Sequence, residues 1–177
     1  MNKYDRSLKK FLATNKPNAG RTIVIGNKVY PKGGGDRRAL YQDAVGLDIS
    51  DGEGVDIVHD LERQLPRRYG LFDHVDCRSV LEHVKRPWLM AQNIQLMMNA
   101  GATLFVSVPT FWRLHAYPDD YFRFTAQALE VLFPNVDWVD LRYLSEDGFN
   151  LKPRHLTDEG MRYFARTEVV GFGIMQS

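Results

Sequence analysis

The chain has 177 residues, 44% of them hydrophobic and 25% charged, with Lys+Arg 23 set against Asp+Glu 22 for a formal net charge of +1. Those values exclude tandem-domain, disordered, collagen-like and disulfide-dense architectures, and they predict one folded domain over residues 1–177 that buries roughly 70% of its unfolded surface. The charge balance argues against nucleic acid and against an anionic membrane, the single Cys77 can form no intramolecular disulfide, and no apolar run approaches a membrane span, so a reduced cytoplasmic setting is expected.

Tyr4, Leu8, Phe11 and Leu12 recur at helical spacing and predict a short amphipathic opening helix, ended by the turn-forming residues Asn15 to Gly20. The period then changes. Thr22-Ile23-Val24-Ile25 closed by Gly26, Ala44-Val45-Gly46-Leu47-Asp48-Ile49, and Val55-Asp56-Ile57-Val58 read as strands, as do Phe72 to Cys77 and the nearly wholly apolar Leu104 to Val108. Ser79-Val80-Leu81-Glu82 fits a capping box. Pro87 suits a first helical position, and Met90, Ile94 and Met97 share a face before Gly101 supplies a stop. Thr125 can cap a further helix carrying Leu129, Leu132 and Phe133 and ended by Pro134, after which Val136 to Leu144 and Thr167 to Gly173 read as closing strands. The alternation predicts a doubly wound α/β sheet, mostly parallel with an antiparallel closing strand and helices on both faces.

In such a sheet ligands collect at the carboxyl ends of the strands, so the residues just after each strand are the candidates. Asp48 can accept two hydrogen bonds from a ribose diol, or be a turn aspartate; Asp60 can accept from an adenine amino group, or cap the turn at Leu61. Gly33-Gly34-Gly35 has neither the position of a dinucleotide fingerprint nor the Gly-Lys-Ser/Thr ending of a P-loop and reads as a solvated loop.

Ile23-Val24-Ile25-Gly26, Val45 to Ile49, Gly54 to Asp60, Phe72-Asp73-His74-Val75, Ser79 to Val84 and Leu104 to Pro109 occur in the order of the motifs of class I S-adenosylmethionine-dependent methyltransferases, which the chain resembles from Thr22 to about Phe133. The likeness is closest to small type-11-like members, whose post-strand segment is similar to His115-Ala116-Tyr117-Pro118-Asp119-Asp120-Tyr121-Phe122-Arg123-Phe124-Thr125. It implies a Rossmann-like fold and S-adenosylmethionine as cofactor. Gly26 matches the glycine against which the cofactor's methionine part lies, Asp48 the ribose-binding acid and Asp60 the acid at the adenine edge, while Ser79 and His83 fall at the methionine end. The first motif departs from the family: Val24 stands where an acidic residue is usual, and Asn27-Lys28 where further glycines are.

The expected activity is methyl transfer to a small-molecule or carbohydrate-like acceptor. His115 is the first choice of general base and His83 the second, because imidazole titrates near neutrality. The segment after the Leu104 to Val108 strand is expected to form the acceptor side, with Trp112, Tyr117 and Tyr121 offering aromatic faces and His115, Asp120 and Arg123 polar groups; the alternative is an ordered loop in which Asp119 or Asp120 merely pairs with Arg123. His59 and His74 lie inside strand-like runs and read as packing or surface residues, and His155 sits in a polar loop. With no pair of histidines at a metal-ligand spacing, no metal is expected. Cys77 reads as a small buried hydrophobe. The altered first motif keeps a second class in play, a non-catalytic binding or scaffold module. A third, a nucleic-acid methyltransferase, would need Lys9-Lys10, Arg37-Arg38 and Arg67-Arg68 to form a basic surface.

Overall fold

The structure is a computed structural model that describes residues 3–17, 19–31, 35–66, 69–115, 119–145 and 167–177. Seven strands form one sheet: β1 (Arg21–Ile25), β2 (Asp43–Asp48), β3 (Ile57–Val58), β4 (Phe72–Arg78), β5 (Met98–Phe111), β6 (Val136–Ser145) and β7 (Thr167–Met175), in the order β3-β2-β1-β4-β5-β7-β6. β1 through β5 pair in parallel, with Ile23 opposite both Val45 and Val75. β7 runs antiparallel to both β5 and β6. The direction of winding reverses between β1 and β4, so the crevice that a doubly wound sheet offers to ligands opens beyond Ile25 and Arg78.

Alternation along β4 divides the sheet into an apolar and a polar side. Phe72, Val75 and Cys77 join Ile23, Ile25, Leu104 and Val106 in the main core, which is covered by α2 (Pro87–Leu96) through Met90 and Ile94 and by α3 (Ala126–Leu132) through Leu129. α2 starts on Pro87, whose missing N–H costs nothing in a first turn. It stops at Leu96, earlier than the Gly101 expected from the sequence. The Met97 N–H folds back onto Ile94, and the Met97 carbonyl accepts from Phe72, so the chain is already committed to β5. α3 begins as expected: the Thr125 hydroxyl accepts from the Ala128 N–H at 3.2 Å. Cys77 is fully buried in this core, and burial pushes its thiol far above its ordinary value.

On the opposite face α1 (Lys3–Thr14) sets Phe11 against Phe105, Leu144, Val170 and Phe172. Tyr4 and Leu8, the rest of the expected stripe, have side chains outside the described residues. Among the described residues of the β1–β2 connection the one helical element is a 3-10 turn, Arg37–Leu40. A polar layer covers β1 and β4 instead. Asp76, 0% exposed, accepts from Arg37 Nη1 at 3.2 Å, Arg78 Nε at 2.8 Å, Arg78 Nη2 at 2.6 Å and the Tyr41 hydroxyl at 2.7 Å. Burial and the Asp76 carboxylate together drive the Tyr41 phenol well above its usual range. Beside it the His74 Nδ1–H donates to the Thr103 carbonyl at 3.1 Å, since a carbonyl can only accept. Among the described residues no helix is long and apolar enough to cross a membrane.

Two measurements check this layer. Asp76→Ala leaves two guanidinium groups facing an emptied, desolvated position and should lower unfolding free energy by about 3–5 kcal/mol in urea titrations. Burial pushes His74 down to about 4 from the ordinary imidazole value of 6.5, against the pull of Asp76 and the Thr103 carbonyl. The unfolded chain therefore binds a proton that the folded chain refuses between these values, so stability is full above pH 6.5 and falls as the pH drops towards 4. His74→Gln should remove a pH-dependent loss of roughly 3 kcal/mol. Identical slopes in wild type and variant would show that His74 is not the group responsible.

Candidate functional site

The turn leaving β1 is built by side chains that reach back over it. Gly26 has φ of 67°, and a Cβ there would lie 2.5 Å from Val80 Cγ2. Arg37 Nη2 donates to the Ile25 and Gly26 carbonyls at 2.6 and 2.8 Å, which ties the turn to Asp76. Asn27, where further glycines were expected, is buried and fully engaged: its amide donates to Asp36 and to the Gly54 carbonyl, both at 2.8 Å, and accepts from the Arg37 N–H at 3.0 Å. The loop between β1 and the 3-10 turn is thereby closed at both ends. Gly33 and Gly34 lie outside the described residues, and around Gly35 the space is open. Arg38 pairs with Asp36 and Asp56 at 2.7 Å each. Both arginines of the Arg37-Arg38 pair are thus committed to carboxylates, while Arg67 and Arg68 lie outside the described residues.

Asp48 ends β2 half-buried. Its Oδ2 accepts from the Lys28 N–H at 3.2 Å, and its Oδ1 accepts from the Ser50 N–H at 3.1 Å and, at a long 3.4 Å, from the Ser50 hydroxyl, so the spare lone pair lies on Oδ2. Asp60, beyond β3, caps a turn: Oδ1 accepts from the Glu62 N–H at 2.9 Å, and Arg63 lies 3.3 Å from Oδ2.

Beyond β4 the capping box is not formed. Ser79 adopts a left-handed φ of 51°, its N–H bound to the Ser107 carbonyl at 2.8 Å, and the following element is a 3-10 turn, Leu81–His83, without a side-chain cap. The cap position of this turn falls on Val80, whose side chain has no acceptor, and not on Ser79. Glu82 therefore points inward, 0% exposed, and neither carboxylate oxygen meets a donor from another residue. Burial pushes it up to about 8, with Glu168 and Asp120 adding to the rise and Arg123 opposing it. The main-chain carbonyl of Glu82 accepts from the Tyr121 N–H at 2.8 Å and so fastens the segment after β5 to this turn.

That segment brings His115 beside His83, with ring centroids 5.0 Å apart and planes at 85°. The His83 Nδ1–H donates to the Asp119 carbonyl at 2.5 Å, and burial holds its pKa below the ordinary value. Asp120 accepts from the His115 N–H at 2.7 Å and pairs with Arg123 at 2.5 and 2.8 Å, and the guanidinium hydrogen bonds hold its carboxyl well below the usual carboxylate range. Arg123 also donates to the carbonyls of Trp112, Arg113 and Phe122. Tyr121 is exposed, its hydroxyl bound to Asp119 at 2.7 Å. Thr110, Phe111, Trp112, Arg113 and Arg123 line an open cleft of about 450 Å³ at the carboxyl end of β5. Tyr117 and His155 lie outside the described residues. Glu82 is the residue that sequence reasoning set aside as a capping partner; the signal that could have found it is a carboxylate directly before a histidine, after a strand that ends in the crevice.

Structural neighbours share this architecture at low identity. An N-methyltransferase, NodS, from Bradyrhizobium japonicum WM9 in complex with S-adenosyl-L-homocysteine aligns with TM-score 0.61 at 11% identity over 98% of this chain and 86% of its own. A putative methyltransferase from Bacillus halodurans C-125 gives 0.68 at 13% over 97% and 100%. The 1,6-didemethyltoxoflavin-N1-methyltransferase of Burkholderia thailandensis, with bound 1,6-didemethyltoxoflavin and S-adenosylhomocysteine, gives 0.62 at 11% over 98% and 77%. The fold is that of the class I S-adenosylmethionine-dependent methyltransferases. No protein-family model and no curated protein matches the chain significantly.

Within this methyltransferase fold the β1 turn and the Leu81–His83 turn meet at Gly26 and Val80. Gly26→Ala combines a left-handed φ with a steric clash and should cost about 1–3 kcal/mol. Adding Val80→Ala removes the clash and not the dihedral strain, so a double-mutant cycle in thermal denaturation should recover part of the loss. Strict additivity of the two changes would mean that the turns do not touch.

Proposed function

We propose that this protein is an S-adenosylmethionine-dependent methyltransferase acting on a small-molecule or carbohydrate-like acceptor. The observation that carries the reading is the placing of Asp48, with a lone pair to spare on Oδ2, and of the left-handed Gly26 turn around the switch point of a class I sheet. These residues fit the cofactor: a carboxylate fork suits a ribose diol, and by the resemblance the Gly26 backbone would hold the methionine part, Asp60 the adenine edge, and Ser79 and His83 the methionine end. Bound S-adenosylmethionine supplies a methyl group on a sulfonium, the electrophile of the reaction. The structural neighbours crystallised with S-adenosylhomocysteine support the same cofactor.

The chain's own contribution is positioning, plus a base where the acceptor must lose a proton. His115 and His83 each donate Nδ1–H to a main-chain carbonyl and leave Nε2 as a proton acceptor. Trp112 and Tyr121 offer faces for a sugar or other ring, while Asp120 and Arg123, paired to each other, hold His115 and the walls of the cleft in place. The soluble, cytoplasmic setting expected from composition suits such a reaction.

Asp48→Ala should reduce S-adenosylhomocysteine affinity at least 10-fold in calorimetric titration, with an unchanged circular dichroism spectrum. Asp60→Asn should cost less, since an amide oxygen still accepts one hydrogen bond. Wild-type affinity in Asp48→Ala would remove the ribose assignment. A wild-type protein that binds neither S-adenosylmethionine nor S-adenosylhomocysteine would instead be a non-catalytic module on the same fold.

A further inference from the structure

Three groups of metal-ligating type, separated by up to 33 positions in the chain, meet where the Leu81–His83 turn faces the segment after β5. One ligand atom from each of Glu82, His83 and His115 lies within 4.8 Å of the others. We propose that these three side chains form a binding site for a single divalent transition-metal ion of the zinc or iron(II) type.

The donor set and its surroundings carry this assignment. Glu82 is 0% exposed, its two carboxylate oxygens have no donor from any other residue, and Oε1 lies 3.7 Å from His83 Nε2. A carboxyl group buried without partners is costly to ionise, and a cation in contact with it offsets that cost. Tetrahedral ligand atoms about 2.0–2.2 Å from zinc stand about 3.4 Å apart, so the Glu82–His83 pair is already close to coordination spacing. Both imidazoles are oriented for it. The His83 Nδ1–H is fixed by the Asp119 carbonyl at 2.5 Å, and His115 Nδ1 lies 3.2 Å from the Arg113 carbonyl and 3.3 Å from Asp120 Oδ2. Each ring therefore presents its Nε2 lone pair, with the outer-shell carbonyl and carboxylate partners that metal-bound histidines have. Two nitrogens and one carboxylate oxygen favour zinc or iron(II) over magnesium or calcium, which take oxygen ligands. Three protein ligands leave a coordination position open. On the methyltransferase reading, and resting on it, an acceptor hydroxyl would bind there with its pKa lowered by the ion, and the two imidazoles would then hold the metal in place of acting as free bases.

The test is direct binding to the full chain, stripped with a chelator and dialysed, in the absence of S-adenosylmethionine and S-adenosylhomocysteine. Titration with Co²⁺, followed by calorimetry and visible absorption, should show one equivalent with ligand-field bands of a low-coordinate nitrogen and oxygen set, displaced by Zn²⁺ and not by Mg²⁺. Glu82→Gln and His115→Ala should each weaken Co²⁺ binding at least 10-fold. Because Glu82 is buried, His115→Ala serves as the folding-tolerant variant, and circular dichroism establishes that each variant is folded. Absence of saturable binding, or equal affinity in folded His115→Ala, overturns the site. S-adenosylhomocysteine titrated into the same preparations separates the two readings: cobalt binding without S-adenosylhomocysteine binding leaves the metal site standing and removes the cofactor assignment, and S-adenosylhomocysteine binding without cobalt binding does the reverse.

Discussion

Asp76 is the buried charge on which the rest of the crevice is assembled. The sheet needs cover on both faces, and on the side of β1 and β4 the described residues include no crossover helix to provide it. Four hydrogen bonds from Arg37, Arg78 and Tyr41 take its place. A charge cluster of this kind gains little net stability over an apolar one, but it is intolerant of losing a member. It also dictates position: the same Arg37 that neutralises Asp76 grips the carbonyls that end β1, so the Gly26 turn is set from behind by an ion pair.

A second clamp works at the other end of the crevice. Every nitrogen of the Arg123 guanidinium is spent on Asp120 or on main-chain carbonyls, so this arginine shapes the loop and has no arm left over for a ligand. Asp120 in turn holds the His115 N–H, and Glu82 holds Tyr121 and Phe122 through its carbonyl. The two histidines thus meet through main-chain hydrogen bonds from opposite sides, and their separation depends on backbone geometry as much as on side-chain preference.

The strands were legible because β-branched runs broken by glycine and proline leave few alternatives, and all seven appear within a few residues of the sequence reading; β5 extends furthest beyond it, from Met98 to Phe111. Thr125 and Pro87 were legible for the same local reason. The partners of Asp76 were not: Arg37 stands 39 positions away, and nothing in local periodicity links them. Ser79 misled because a capping box is defined by spacing alone, whereas the residue sits at a left-handed position that the Ser107 carbonyl imposes across the sheet. The Asp120–Arg123 pair, three residues apart, was visible as an alternative to ligand binding. The meeting of Glu82 with His115 was invisible, since metal-ligand patterns search short spacings and this one is made by a strand crossing.

Cys77 gives the molecule a built-in clock. It is the only thiol in the chain, it lies fully buried on the strand that also carries Asp76, and its neighbours on either side are the central strands β1 and β5. A thiol reagent can reach it only when β4 separates from them, so the labelling rate counts openings of the sheet centre and ignores fraying at the ends. Any molecule that settles into the crevice above β4 and holds its two neighbours together would slow that clock, without having to be a substrate, a chromophore or even a known compound.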